Sequence, residues 1–151
     1  MEERFEMFTV LMAKIRRNLQ RVKTEEMAEY NLKSPHVSCL YYLYTHGSLT
    51  ATELCEICYE DKAAISRSIL QLEKLGYVEY RENTKKRYRA DIILTEKGRE
   101  IAECVAKKVN YYMDKIGGEL SEKERLIFYK SLSTISKNLD AVCCGYEMDI
   151  V

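Results

Sequence analysis

The sequence lacks long apolar runs and any excess of charge of one sign. No apolar segment approaches the roughly 18 residues that a membrane-spanning helix needs. The first residues, MEERFEMF, are acidic and do not follow the basic-then-apolar pattern of a signal peptide. We therefore expect a cytoplasmic protein without a membrane segment. Lys plus Arg and Asp plus Glu number 24 each, so the net charge alone does not indicate a nucleic-acid binder.

The residue types that carry most catalysis and metal binding are sparse. The chain has two histidines, His36 and His46. It has no glycine-rich phosphate loop, no nucleophile elbow and no metal-ligand spacing. We therefore expect a protein that is not an enzyme and that holds neither a cofactor nor a metal ion.

Six cysteines are present, and in a cytosolic chain we expect them to be reduced. Cys55 and Cys58 form a CxxC, which is half of a tetrahedral zinc site, but no second pair follows. We interpret them as core positions, because a free cysteine behaves as a small hydrophobe. Cys143 and Cys144 lie near the end of the last predicted helix, and a redox role for them is a separate hypothesis.

Positive charge is concentrated in one segment. Residues 62–89 contain eight basic and three acidic residues, which is a net +5, and the rest of the chain carries −5. Attraction to phosphate depends on local potential more than on total charge. This segment is therefore where a nucleic acid would bind.

Helix-start and helix-stop residues divide the chain into predicted helices. Ser34 and Pro35 are expected to begin a helix that ends at Gly47. A capping box, Thr50 to Glu53, opens a short helix, and Asp61 caps a second one over 61–75. Long apolar stripes at helical spacing predict further helices on both sides. The N-terminal stripe consists of Phe5, Phe8, Met12, Ile15, Leu19 and Val22.

After Gly76 the apolar period changes from about 3.6 to 2, which predicts a β-hairpin. Its tip is polar and basic. A capped helix, a short turn, a second capped helix and a basic hairpin form, in that order, a winged helix-turn-helix. The predicted fold is therefore mainly α with a small β-hairpin wing, flanked by N- and C-terminal dimerisation helices.

In this arrangement the second helix inserts into the major groove of DNA and the wing, over 81–89, contacts phosphates or the minor groove. Arg and Gln can form paired hydrogen bonds to base edges, and Ser and Lys suit phosphate or base contacts. The alternative is a helical pair that merely packs, with a solvated charged face. The predicted DNA-contacting residues are Lys62, Ala63, Ser66, Arg67, Gln71, Lys85, Lys86, Arg87 and Arg89.

The run over 49–98 resembles the MarR family of transcriptional regulators. The matching stretches are LTATEL, DKAAISR, LEKLGYVEYR and LTEKG. The resemblance implies one unit over 1–151, with a DNA-binding lobe at 34–98 and a helical dimerisation region at 1–30 and 99–145. Family wings usually carry an Asp-x-Arg pair, but Lys86 and Tyr88 stand at those positions here, so Arg87 or Arg89 would take over that contact.

The expected function is that of a homodimeric regulator, a repressor, that binds a pseudo-palindromic site on double-stranded DNA. Since the family often binds small aromatic carboxylates, the resemblance also implies release by an aromatic or anionic effector, held by Arg16, His36 and Tyr41. The alternative is that the tyrosines of this helix, Tyr41, Tyr42 and Tyr44, are core and interface residues. Two alternatives remain open: a winged-helix protein-interaction module of a transcription assembly, and a cysteine-based redox sensor.

Overall fold

The computed structural model describes residues 2–81 and 89–148. These residues form six α-helices and a three-stranded sheet, and none of their helices is long and apolar enough to cross a membrane. The chain divides into two compact units, residues 1–109 and residues 110–151. In chain order the elements are α1 (Glu2–Glu26), a 3-10 turn (Ala28–Tyr30), α2 (Ser34–His46), β1 (Ser48–Leu49), α3 (Ala51–Cys58), α4 (Lys62–Lys74), β2 (Val78–Tyr80), β3 (Ile92–Leu94), α5 (Glu96–Gly117) and α6 (Glu122–Met148).

The core of the first unit is built around α2, which packs against α1, α3, α4 and β3. Cys39 and Leu40 of α2 are completely buried, as are Leu54 of α3 and Leu72 of α4. Ile65 and Ile69 of α4 face the same core. Each such side chain contributes about 1.5–3 kcal/mol when it leaves water, so burial against α2 holds α3 and α4 in place.

Two of the predicted helix starts are confirmed by their hydrogen bonds. At α3, Thr50 N–H donates to Glu53 Oε2 at 2.7 Å and Glu53 N–H donates to Thr50 Oγ1 at 3.2 Å, which is a reciprocal capping box. At α4, Ala64 N–H donates to Asp61 Oδ1 at 2.7 Å. Such contacts satisfy N–H groups that the first helical turn leaves without a partner.

The expected cap at Ser34 is wrong. Ser34 is the first helical residue of α2, and its N–H donates to Thr24 Oγ1 of α1 at 3.2 Å. Lys33 is the N-cap in extended backbone, and its N–H donates to His36 Nδ1 at 3.0 Å. A contact with another helix therefore takes the place of the local serine cap. Gly47 ends α2 with a φ of 84°, as predicted.

The sheet has the order β1-β3-β2, and both pairings are antiparallel. The hairpin is confirmed, with Val78 opposite Leu94 and Tyr80 opposite Ile92. The two-residue strand β1 was not predicted. Tyr77, which directly precedes β2, is buried.

The start of α5 is fastened to the end of the α4–β2 connection. Thr95 caps α5, because its Oγ1 accepts from Gly98 N–H at 3.0 Å, and it donates to the Gly76 carbonyl at 2.6 Å. Thr95 N–H also donates to the Tyr77 carbonyl at 3.0 Å. Gly98 lies so close that a Cβ there would be 1.7 Å from the same Tyr77 carbonyl oxygen. Gly98 of the closing LTEKG motif therefore lies where α5 approaches the Tyr77 backbone so closely that only glycine fits.

The second unit contains α6, which begins at a second capping box. Ser121 N–H donates to Glu124 Oε2 at 2.9 Å, and Glu124 N–H donates to Ser121 Oγ at 3.3 Å. The helix continues to Met148, through a tail whose sequence has no clear periodicity. Much of its apolar surface is exposed within the chain, including Leu126, Leu139 and Val142.

Candidate nucleic-acid interface

A turn of three residues joins α3 to α4. Tyr59 ends α3 in the left-handed conformation, with φ 53°, and Glu60 N–H donates to the Cys55 carbonyl at 3.2 Å. Asp61 then caps α4. Two helices joined by so short a turn, with the second one capped and exposed on one side, form a helix-turn-helix. The Tyr59 side chain is 86% exposed at this corner.

One strip of α4 lines an open groove between α3, α4 and β2, with a volume of about 560 Å³. Lys62, Ser66 and Leu70 follow one another at four-residue spacing and share this face. Thr52 of α3 and Tyr80 of β2 form other parts of the wall. Two of the predicted contact residues, Lys62 and Ser66, thus lie together on an accessible concave surface.

A second strip of α4 runs beside the first and holds the other predicted contacts on this helix. Ala63, Arg67 and Gln71 are also four residues apart, so they share a face. Ala63 and Arg67 are exposed and Gln71 is half-buried. Of the five predicted residues of α4, four are therefore exposed and Gln71 is half-buried, whereas Ile65 and Ile69 are buried.

Leu70 and Thr52 were missed by the sequence interpretation. Leu70 is 49% exposed although it lies in the middle of the candidate recognition helix. Its spacing from Ser66 would have found it, because residues four apart lie on one helix face. An exposed apolar side chain there suits the methyl group of thymine, which only the major groove presents. Nothing in the sequence places Thr52 beside α4, because that neighbourhood arises from packing.

The wing is described only at its root. Lys85, Lys86 and Arg87 lie outside the described residues, and Arg89 is exposed. At the root, Arg81 N–H donates to the Asp91 carbonyl at 2.8 Å, and Arg81 Nη1 lies 3.5 Å from Asp91 Oδ2. This surface ion pair offsets one of the positive charges of the basic segment.

The three residues expected to bind an effector differ in their surroundings. Arg16 is exposed on α1, and Tyr41 is half-buried on α2 with its ring edge-on to Tyr42 at 5.4 Å. His36 and Tyr41 are five residues apart, which places them about 140° apart around α2. Burial and then the Lys33 charge lower the pKa of His36, whose Nδ1 already accepts a hydrogen bond. His36 is therefore neutral at pH 7 and supplies no positive charge to an anion.

Comparison with known proteins identifies the fold. Residues 30–87 match the model of the MarR family. An uncharacterized HTH-type transcriptional regulator of Bacillus cereus is 27% identical over 123 residues, which cover 78% of this chain and 79% of that protein. These matches and the winged-helix architecture confirm the resemblance stated from the sequence.

Solved structures show the same fold over most of the chain. A MarR family regulator from Neisseria meningitidis has a TM-score of 0.81 at 18% identity, covering 94% of this chain and 97% of that one. The MepR–DNA complex of Staphylococcus aureus has a TM-score of 0.78 at 17% identity, covering 87% and 97%. At these identities the likeness establishes the architecture alone.

Proposed function

We propose that this chain, which carries a MarR family winged helix, acts as a homodimeric repressor of transcription that binds a pseudo-palindromic DNA site. Helix α4 enters the major groove and the basic wing contacts flanking phosphates or the minor groove. The proposal combines the DNA complex known for a protein of the same fold with the surface that this chain presents.

The outward face of α4 is the observation that carries the proposal. It presents Lys62 and Arg67 for phosphates and base edges, Ser66 and Gln71 for hydrogen bonds, and Leu70 for apolar contact. An exposed helix face with this mixture, beside the root of a basic hairpin, matches the chemistry of the major groove.

Exposed apolar side chains support the homodimer. On α1, Met12, Ile15 and Leu19 are 38–48% exposed, and on α6 Leu126 and Leu139 are 72% and 52% exposed. Contiguous apolar surface of this kind is normally covered by a partner. A two-fold dimer presents its two recognition helices about one DNA turn apart, roughly 34 Å, so it requires a symmetric site.

Release by a small aromatic or anionic effector is part of the proposal. Because His36 is neutral and already bonded, Arg16 and Tyr41 would supply the charge and the ring contact. A thermal-shift screen with salicylate-like anions tests this part. A rise in melting temperature that is absent in Arg16→Ala supports it, and no rise at a millimolar ligand concentration rejects it.

Selection of bound sequences from a random double-stranded DNA pool tests the main proposal. We expect an inverted repeat whose half-sites lie one helical turn apart, bound with an affinity that falls as salt rises. Recovery of no enriched sequence, together with no salt-dependent binding, would reject it.

Substitution of Arg67 locates the interface on α4. Arg67→Ala should cost about 1–3 kcal/mol on the selected site and relax the base preference at one position of each half-site. Arg17→Ala on α1 removes the same exposed side chain and is the matched control. If the two variants lose affinity equally, α4 does not make the sequence-specific contact.

The oligomeric state separates the proposal from a protein-interaction module. We expect a dimer by light scattering, which Leu139→Glu on α6 converts to a monomer while the control Lys137→Glu leaves it intact. A wild-type monomer that binds no DNA would support instead a winged helix that docks on another protein.

A further inference from the structure

Leu70 differs from the other apolar residues of α4 because it faces solvent. It is 49% exposed, whereas Ile65 and Leu72 of the same helix are buried. A rotation of about 100° per residue places Leu70 about 140° around the helix axis from Ile65 and about 160° from Leu72. Leu70 therefore lies nearly opposite the core and does not belong to the edge of the apolar stripe that packs inward.

The exposed face of α4 around Leu70 is positively charged. Three of its six exposed residues are cations and none is an acid. These residues are Lys62, Ala63, Ser66, Arg67, Leu70 and Lys74. Glu73, the acidic residue of this helix, is half-buried in the wall of the groove. A single exposed leucine is ordinary on a protein surface, but a leucine within a cationic and polar face indicates a polyanionic partner that also presents an apolar group.

The major groove of DNA meets both requirements. Its phosphates supply the negative charge, and the methyl group at C5 of thymine is an apolar group on the base edges. 5-Methylcytosine carries the same methyl group on the same ring position. A protein partner would need an apolar area of several side chains, whereas Leu70 and the small Ala63 are the apolar members of this face. The face therefore suits one methyl group between charged contacts better than it suits a protein surface.

We propose that Leu70 recognises a 5-methyl group on one pyrimidine of each half-site, carried either by thymine or by 5-methylcytosine. This role rests on the proposed function, because it requires α4 to lie in the major groove. The helix then combines a charged contact to the bases, Arg67, with an apolar one, Leu70. The same contact makes binding sensitive to methylation of a cytosine at that position.

The spacing of Leu70 from Arg67 determines where this pyrimidine lies. Leu70 follows Arg67 by three residues, so the two side chains are neighbours on the helix surface, about 4.5 Å apart along the axis. Successive base pairs of DNA rise by about 3.4 Å. The methylated pyrimidine is therefore expected within two base pairs of the position whose base preference relaxes in Arg67→Ala.

Deoxyuridine substitution in the selected site tests this role, because it removes the methyl group of thymine and keeps every hydrogen-bonding group. Each thymine of either strand is replaced in turn, first in one half-site and then in both, and the dissociation constant of the full chain is measured by fluorescence anisotropy. We expect one position at which binding weakens about fourfold for one half-site and about sixteenfold for both, the effect of one buried methyl group in each. Unchanged affinity at every position would overturn the proposal.

A second pair of sites distinguishes the two sources of the methyl group. Cytosine or 5-methylcytosine, each paired with guanine, replaces thymine at the sensitive position. If Leu70 recognises the methyl group on either base, the methylated site binds about fourfold more tightly per half-site than the unmethylated one. If methylation leaves the affinity unchanged or lowers it, the inferred sensitivity to cytosine methylation is overturned and the contact is confined to thymine.

Variants assign the effect to Leu70. In Leu70→Ala the affinity ratio between the thymine and uracil sites should fall to about one, whereas the apolar Leu70→Met should retain the wild-type ratio. Ala63→Gly removes the other exposed apolar side chain of this face and is the control, which should also retain the ratio. A ratio that persists in Leu70→Ala, or that is lost in Ala63→Gly instead, would overturn the assignment.

Selection from the random pool separates the role of Leu70 from the proposed function. If no sequence is enriched, the proposed function fails and the role of Leu70 fails with it. If a site is enriched and bound but uracil has no effect on its affinity, the proposed function stands and Leu70 does not recognise a methyl group. A uracil-sensitive position more than two base pairs from that of Arg67 would contradict the expected placement of α4.

Discussion

Gly98 is the position where the structure predicts the largest effect of adding one methyl group. In Gly98→Ala the new Cβ would lie 1.7 Å from the Tyr77 carbonyl oxygen and 2.6 Å from its carbon, where ordinary contacts are 3.4–4 Å. Neither neighbour can rotate away, because both are backbone atoms. The start of α5 must therefore move by more than an ångström relative to β2.

This movement breaks the two hydrogen bonds that Thr95 makes to the carbonyls of Gly76 and Tyr77. Their loss costs about 1 kcal/mol each. Overpacking adds about 1–3 kcal/mol, and the better helix propensity of alanine returns up to about 1 kcal/mol. We expect Gly98→Ala to reduce the free energy of unfolding by about 2–4 kcal/mol.

Urea unfolding followed by circular dichroism at 222 nm, at one fixed protein concentration, measures this difference. Gly145→Ala is the matched control, because that glycine lies in α6 with nothing within 4 Å of an added Cβ. It should stabilise the chain by about 0.5–1 kcal/mol. If Gly98→Ala stays within 1 kcal/mol of the wild type, the close approach to Tyr77 is not a feature of the folded protein.

Three further predictions concern the turn and the start of α2. Asp61→Ala removes the cap of α4 and should cost about 0.5–2 kcal/mol in urea unfolding. Tyr59→Gly relieves a left-handed φ, although the greater conformational entropy of glycine in the unfolded chain offsets part of that gain. We expect a net stabilisation of up to about 1 kcal/mol. Burial and the Lys33 charge lower the pKa of folded His36 below its ordinary value of 6.5, so its contribution to stability is complete above pH 6.5 and is lost as pH falls through the folded value.

Each of these has its own control. Asp61→Asn keeps a capping oxygen and should be nearly neutral, so equal loss in both Asp61 variants would mean that charge, not capping, matters. Tyr59→Ala cannot relieve the left-handed backbone, and a gain as large as that of glycine would point to the tyrosine side chain instead. The pH dependence should be weaker in His36→Gln, and an unchanged dependence in that variant would contradict the role of His36.

Sequence patterns predicted the parts of this fold that depend on neighbours along the chain. The capping box at Thr50 and the cap at Asp61 need residues only three positions away, and both were found. Ser34 has the same local pattern, yet Thr24 of another helix takes its N–H and Lys33 becomes the cap. Local rules fail where a side chain from a distant segment offers a competing partner.

The candidate site shows the same division. The outward residues of α4 follow from helical spacing, and Leu70 could have been added by the same rule. The groove that includes Thr52 arises from the packing of α3, α4 and β2. The sequence therefore predicted the exposed helix proposed to face DNA and the core positions of Cys55 and Cys58, but not the groove beside that helix.

The strand order of the sheet has a consequence for how the chain folds. Strand β3 lies between β1 and β2, so the return strand of the wing is completed only when it pairs with a segment that precedes α3. Closing that loop requires ordering the intervening chain first, whereas α3 and α4 need only local contacts to begin. The helix-turn-helix should therefore acquire hydrogen-exchange protection early in refolding, and Ser48 and Leu49 should acquire it together with Ile92 and Ile93, late. During synthesis of the chain, α4, the proposed recognition helix, would therefore form before the strands at the root of the wing pair with β1.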